Sequence, residues 1–119
     1  MKKTLTNAQM AGVIQSLTPI LQQRNKLGYV AARNYRNLDT CLTEYKTFRD
    51  DLIKKYGERG DDGTYSIKIH TPEFEKFSEE LEPFNKIEHE VELMTAKYTD
   101  AIDILSGEEI LAIDWMLED

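Results

Sequence analysis

The segment from Tyr29 to Tyr56 constrains the fold of this chain more than any other part of the sequence. Apolar residues recur there at alternating intervals of three and four, as on one face of an α-helix, and only Arg49 interrupts the row. At about 1.5 Å per residue, one helix over this segment would be roughly 40 Å long. Such a stripe cannot be buried by its own helix, so the rest of the chain is expected to pack on it. The stripe comprises Ala31, Tyr35, Leu38, Leu42, Tyr45, Leu52 and Tyr56.

Length and composition favour one folded domain over residues 1–119. Of the 119 residues, 40% are apolar and 31% are charged. No segment approaches the roughly 20 apolar residues of a membrane-spanning helix, and Lys2 and Lys3 are not followed by the apolar run of a secretory signal. The single cysteine, Cys41, leaves no disulfide within one chain. We therefore expect a cytoplasmic protein that does not bind membranes.

Charge is distributed unevenly along the chain. Residues 1–60 contain eleven Lys and Arg against five Asp and Glu, whereas residues 61–119 contain four against seventeen. The net charge of −7 argues against general nucleic-acid binding. Two interpretations remain open. Either the two halves pack together and neutralise each other, or the acidic half faces outward and docks on a basic partner.

Capping patterns place the first helix. Thr6 and Gln9 form a capping box, and Leu5 and Met10 can close a hydrophobic staple around it. Residues 1–4 are expected to fray, because they precede the cap at a chain terminus. The helix is expected to end near Leu17.

Proline and glycine mark the following boundaries. Thr18-Pro19 predicts a new helix with Thr18 as its cap, because proline is tolerated at the first helical position. Gly28 is compatible with either a hinge or a helix that continues into the long one. Gly57 is expected to close the long helix in the left-handed conformation.

Two further helices and one ribbon are predicted in the second half. Thr71-Pro72 opens a helix that Pro83 should kink or break, and Ser106 with Glu109 repeats the capping box. Alternating residues predict strands at 65–69 and at 91–98, paired antiparallel. The predicted fold is therefore mainly α (α+β), with a long central helix packed by three or four shorter helices and a small two-stranded antiparallel β-ribbon.

No motif predicts catalysis, a cofactor or a metal site. His89-Glu90 begins the H-E-x-x-H pattern of zinc proteases, but Leu93 occupies the position of the second histidine. Asp61-Asp62-Gly63 lacks the ligand spacing of a calcium loop. Neither a phosphate-binding glycine loop nor a nucleophile elbow occurs. We therefore expect no catalytic residue, no cofactor and no metal ligand, and hence a protein that is not an enzyme.

Two sets of residues are candidates for binding. Acidic residues crowd the helix after Pro72, and they are candidates for contact with a basic protein partner. An aromatic residue and two arginines near the start of the long helix are a weaker candidate for binding a small anion such as a nucleotide. The first set is Glu73, Glu79, Glu80 and Glu82, and the second is Tyr29, Arg33 and Arg36.

The order of these features resembles a family of small uncharacterised proteins from tailed phages and prophages of Gram-positive bacteria. The resemblance runs over nearly the whole chain and implies a phage origin, but it transfers no functional residue. It rests on L-T-N-A-Q-M (Leu5 to Met10), Thr18-Pro19, I-K-K-Y-G (Ile53 to Gly57), D-G-T-Y-S-I (Asp62 to Ile67), P-E-F-E-K-F-S-E-E-L (Pro72 to Leu81), I-E-H-E-V-E-L (Ile87 to Leu93) and W-M-L (Trp115 to Leu117).

These observations lead to three functional hypotheses. The preferred one is a phage-encoded, non-enzymatic protein that binds a host or defence macromolecule stoichiometrically in the host cytoplasm. The second is a virion or tail-assembly component that self-associates through the long helix, since periodicity alone leaves open whether a second copy covers part of the stripe. The third is a binder of small anionic ligands such as nucleotides.

Overall fold

The computed structural model describes residues Met1–Asp119 and is mainly helical, with three small two-stranded sheets. None of its helices is long and apolar enough to cross a membrane. The helices are α1 (Asn7–Leu17), α2 (Lys26–Cys41), α3 (Thr43–Tyr56), α4 (Pro72–Asn85), α5 (Tyr98–Ala101) and α6 (Gly107–Ala112). The strands are β1 (Lys2–Thr6), β2 (Glu58–Arg59), β3 (Tyr65–Ser66), β4 (Glu88–Glu92), β5 (Ala96–Lys97) and β6 (Leu117–Glu118).

Three helix caps, Thr6, Thr71 and Ser106, lie where the sequence predicts them. Thr6 Oγ1 accepts a hydrogen bond from the Gln9 N–H at 3.1 Å, and Gln9 Oε1 accepts one from the Thr6 N–H at 2.9 Å. Ser106 and Glu109 form the same reciprocal pair before α6, and Thr71 caps α4. Each cap satisfies N–H groups that have no partner within the helix, so the local sequence is sufficient to fix these starts.

The helix predicted to start at Pro19 is a short 3₁₀ segment, Thr18–Gln22. The Thr18 hydroxyl does not cap it but donates to the Ile14 carbonyl at 3.2 Å. Helix α2 then begins at Lys26, with Asn25 as its cap, and continues through Gly28. A Cβ atom at Gly28 would lie 2.0 Å from the Gln23 carbonyl oxygen, so a side chain cannot be accommodated at this close approach.

A single uninterrupted helix over residues 29–56 is not confirmed, because Leu42 separates α2 from α3. The apolar stripe itself does face inward. Ala31, Leu38 and Leu42 are at most 1% exposed and Leu52 is 6% exposed. Tyr45 is half-buried, as is Tyr35. The spacing therefore identified the buried face correctly but not the interruption at Leu42.

The predicted strand pairing is wrong. Strand β4 pairs antiparallel with β1, in a register that places Lys3 opposite Val91 and Leu5 opposite His89. The N-terminus is thus a strand and not a frayed end, and the terminal ammonium group donates to the Leu93 carbonyl at 2.7 Å. Strand β3 pairs instead with β2, as the two arms of a short hairpin. Strands β5 and β6 form a parallel pair.

Gly57 is extended, with φ −93°, so the predicted left-handed closure of α3 is also wrong. A Cβ atom there would lie 2.5 Å from the Ile53 carbonyl oxygen and 2.6 Å from that of Ser66. Glycine is therefore required because β3 approaches the end of α3 closely. Pro83 lies within α4 and does not break it.

The molecule consists of a body and an arm. The body comprises β1, α1, the 3₁₀ segment Thr18–Gln22, α2, Leu42, β4 and residues 93–119. Its buried apolar side chains form one core cluster. The arm comprises residues 43–85, in which α3 packs on α4 through Leu52, Leu81 and a Phe48–Phe84 ring pair at 3.9 Å. The shape is elongated, 49 × 31 × 21 Å, with a radius of gyration of 17.0 Å. A compact domain of this length would have about 13.5 Å.

Candidate functional site

The four glutamates that the sequence nominates do not form one surface. Glu79 and Glu82 lie on the outer side of α4, opposite the face that packs on α3, and both are exposed. Glu75 is also exposed and precedes Glu79 by four residues, so it extends the same line. Glu75, Glu79 and Glu82 are hereafter called the acidic row. Of the three, only Glu82 contacts a cation, Lys86 at 3.4 Å.

Glu80 and Glu73 do not belong to the acidic row. Glu80 is half-buried against α3, where its carboxylate accepts a hydrogen bond from the Tyr56 hydroxyl at 2.9 Å and pairs with Lys55 at 3.4 Å. Tyr56 and the charge of Glu80 together raise the pKa of Lys55. Glu80 therefore holds α4 against α3. Glu73 lines a cavity of 240 Å³ beside Gly57, away from the acidic row.

Tyr29, Arg33 and Arg36 share one exposed side of α2. Their spacing of four and three residues aligns them along the helix, and Tyr29 is 59% exposed. Neither arginine forms an ion pair within the protein. Because both are exposed, both can contact anions in solution. None of the three lines a cavity. The structure thus groups the predicted anion-binding residues on one exposed side of α2 that lines no cavity.

The largest cavity was not indicated by any sequence motif. It has a volume of 530 Å³ and lies in the arm, between α3 and the β2–β3 hairpin. A cavity of 170 Å³ lies between α1 and the region where α2 is followed by α3. Another, of 300 Å³, lies between the body and the arm. The largest cavity is lined by Asp50, Ile53, Lys54, Arg59, Gly63, Thr64 and Tyr65.

Ion pairs between the two halves of the sequence neutralise part of the charge asymmetry. The terminal ammonium group contacts Glu92, Lys2 contacts Glu90, and Lys26 contacts Asp100, at 3.2 to 4.0 Å. With the Lys55–Glu80 pair, these contacts join residues 1–60 to residues 61–119. Arg33, Arg36 and the acidic row take no part in them. Packing therefore accounts for part of the asymmetry and leaves both an exposed acidic row and an exposed basic side of α2.

The described side chains contain no group of three or more His, Cys, Asp or Glu residues arranged to hold a metal ion. His89 is half-buried in β4, opposite Leu5, whereas His70 is exposed in a turn with φ 65°. The two histidines therefore belong to separate parts of the structure.

Comparison of the chain with protein-family models, with curated proteins and with solved structures finds no match.

Proposed function

We propose that this chain is a non-enzymatic binding protein, encoded by a phage, that acts stoichiometrically on a host or defence protein. The acidic row on α4 is the proposed contact surface, and the partner presents a basic surface to it. The phage origin and the action in the host cytoplasm rest on the resemblance of the sequence.

The observation that carries this proposal is the exposure of the acidic row on a projecting arm. Glu75 and Glu79 have no cation partner within the protein, so a basic partner would not first have to break an ion pair. The molecule is elongated, with a longest extent of 49 Å, and Glu75, Glu79 and Glu82 are all exposed, so the outer side of α4 is accessible to a large partner. Charged surfaces of this kind raise association rates and select partners of opposite charge.

Affinity capture from a host lysate tests the acidic row. We expect the wild-type chain to retain one dominant partner, and we expect E79K/E82K to lose it because the reversed charges repel a basic surface. The matched control is E44K/D51K, which makes the same change in net charge on the exposed side of α3 and should retain the partner. Glu80 is left intact, because its replacement would loosen the packing of α4 on α3.

Thermal unfolding of both variants separates binding from folding. The two melting temperatures should lie within a few degrees of the wild type, since surface substitutions of this kind change stability by roughly 0.5 kcal/mol. Retention of the same partner by E79K/E82K would contradict the proposed contact surface, as would equal loss in both variants.

A further inference from the structure

The 530 Å³ cavity of the arm lies between two elements, helix α3 and the β2–β3 hairpin. One wall is α3, where Asp50, Ile53 and Lys54 lie three and four residues apart and so face the same way. The other wall is the hairpin, where Arg59 and Tyr65 are directly paired across the two strands. Residues paired in this way project from the same face of a ribbon, so their side chains lie next to each other.

The hairpin turn fixes the position of Arg59. Gly63 has φ +84°, which glycine adopts without strain, and a Cβ atom there would lie 3.7 Å from Arg59 Nη2. The guanidinium group therefore lies against the turn. Asp62 accepts hydrogen bonds from the Thr64 hydroxyl at 2.7 Å and from its N–H at 3.1 Å, and these bonds lower the pKa of Asp62. The turn is thus held by the hydrogen bonds between Asp62 and Thr64, and the Arg59 guanidinium group forms no hydrogen bond with it.

The two cations of this cavity have no anionic partner within the protein. Neither Lys54 nor Arg59 forms an ion pair or a side-chain hydrogen bond, whereas Asp50 contacts Arg49 at 3.5 Å, outside the cavity lining. Arginine and lysine together are the usual ligands of phosphate groups, arginine through paired N–H donors and lysine as a point charge. This pair differs from Arg33 and Arg36 because Lys54 and Arg59 line a cavity, whereas Arg33 and Arg36 line none.

We propose that this cavity binds a nucleotide, with the phosphates on Lys54 and Arg59 and the base against Tyr65. The volume falls within the range of small-molecule sites, about 300–1,000 Å³. The ring of Tyr65 offers a flat surface on which a base can stack. Ile53 supplies an apolar wall, and the Asp50 carboxylate can accept a hydrogen bond from a ribose hydroxyl or a base N–H. These groups favour a nucleotide over inorganic phosphate alone.

Calorimetric titration with ADP, and separately with inorganic pyrophosphate, tests the site. We expect saturable binding of one ADP per chain and weaker binding of pyrophosphate. K54Q/R59Q should lower the affinity for ADP at least tenfold. The matched control R33Q/R36Q removes the same charge from α2 and should leave the affinity unchanged. Y65L should weaken ADP binding but not pyrophosphate binding, because only the nucleotide has a base to stack.

The outcomes that overturn this proposal are equally specific. They are the lack of saturable ADP binding to the wild type, an equal loss in K54Q/R59Q and R33Q/R36Q, and an unchanged ADP affinity in Y65L. Far-ultraviolet circular dichroism of each variant verifies that the fold is retained. The acidic row does not line this cavity, so capture of a protein partner through α4 and binding of ADP in the arm can each fail without the other.

Discussion

Asn34 lies among the buried apolar residues of α2 and is itself fully inaccessible to solvent. Its side-chain oxygen accepts a hydrogen bond from the Met94 N–H at 2.7 Å, and its amide nitrogen donates to the Met94 carbonyl at 3.0 Å. Asn34 therefore provides hydrogen-bond partners for both backbone polar groups of Met94, and it ties the segment between β4 and β5 to α2. In the sequence, Asn34 is a polar residue that adjoins the apolar stripe. Its partner lies sixty residues further along the chain, so no local pattern indicates it.

Replacement of Asn34 should be costly. In N34A, both backbone groups of Met94 lose their partners inside the protein, and each unsatisfied group costs about 1–3 kcal/mol. We expect the free energy of unfolding to fall by about 3 kcal/mol, measured by urea denaturation. Asn37 is the matched control, because its amide donates a single hydrogen bond to the Glu92 carbonyl near the surface. N37A should cost about 1 kcal/mol or less, and equal effects of the two substitutions would contradict this account.

At the scale of whole elements, three helix starts were predictable, whereas the break at Leu42 and the strand pairing were not. Thr6, Thr71 and Ser106 cap their helices through residues three positions away, so the information lies within one turn. Strand β4 instead pairs with a segment more than eighty residues earlier, and alternation within a strand does not specify its partner. The alternating pattern predicts a pairing with the nearest such segment, residues 65–69, and a strand at 91–98, whereas β4 is Glu88–Glu92. The charged N-terminus carried no apolar run that would have marked it as a strand.

The pairing of β1 predicts that the first four residues stabilise the fold. Deletion of residues 1–4 removes most of the β1–β4 ladder and uncovers Val91, which is 3% exposed. We expect the free energy of unfolding to fall by about 2–3 kcal/mol, at about 1 kcal/mol for each lost hydrogen bond. The variant K2A keeps the backbone ladder and should cost less than about 1 kcal/mol, since the Lys2 side chain is exposed. A deletion that leaves stability unchanged would show that the terminus is frayed after all.

The candidate surfaces differ in how far the sequence could predict them. The acidic residues were recognised from composition, but which of them face solvent depends on how α4 packs on α3. Of the predicted set, Glu73 and Glu80 therefore lie outside the acidic row, and Glu75, which was not predicted, belongs to it. The nucleotide cavity could not be predicted, because Lys54 and Arg59 are brought together with Tyr65 only by the β2–β3 hairpin.

At the scale of the whole molecule, the body and the arm differ in packing. The body contains one continuous core, to which α1, α2, β4 and the C-terminal segment all contribute. The arm contains only two buried apolar side chains, Leu52 at 6% and Leu81 at 7% exposure, and the Phe48–Phe84 contact. Regions with few buried apolar contacts open at lower free energy than the core. The amides of α4 are therefore expected to exchange with solvent faster than those of α1 and α2 in the free protein.

Hydrogen exchange of the chain, free and in complex with its captured partner, tests the central claim of a docking arm most directly. Because binding at the acidic row would hold α4 in place, exchange in residues 72–85 should slow at least tenfold in the complex. Exchange in α1 and α2 should change little, since neither helix belongs to the proposed contact surface. Protection confined to the body, for example to β1 or to the exposed side of α2, with α4 unchanged, would contradict the proposal that the arm binds the partner.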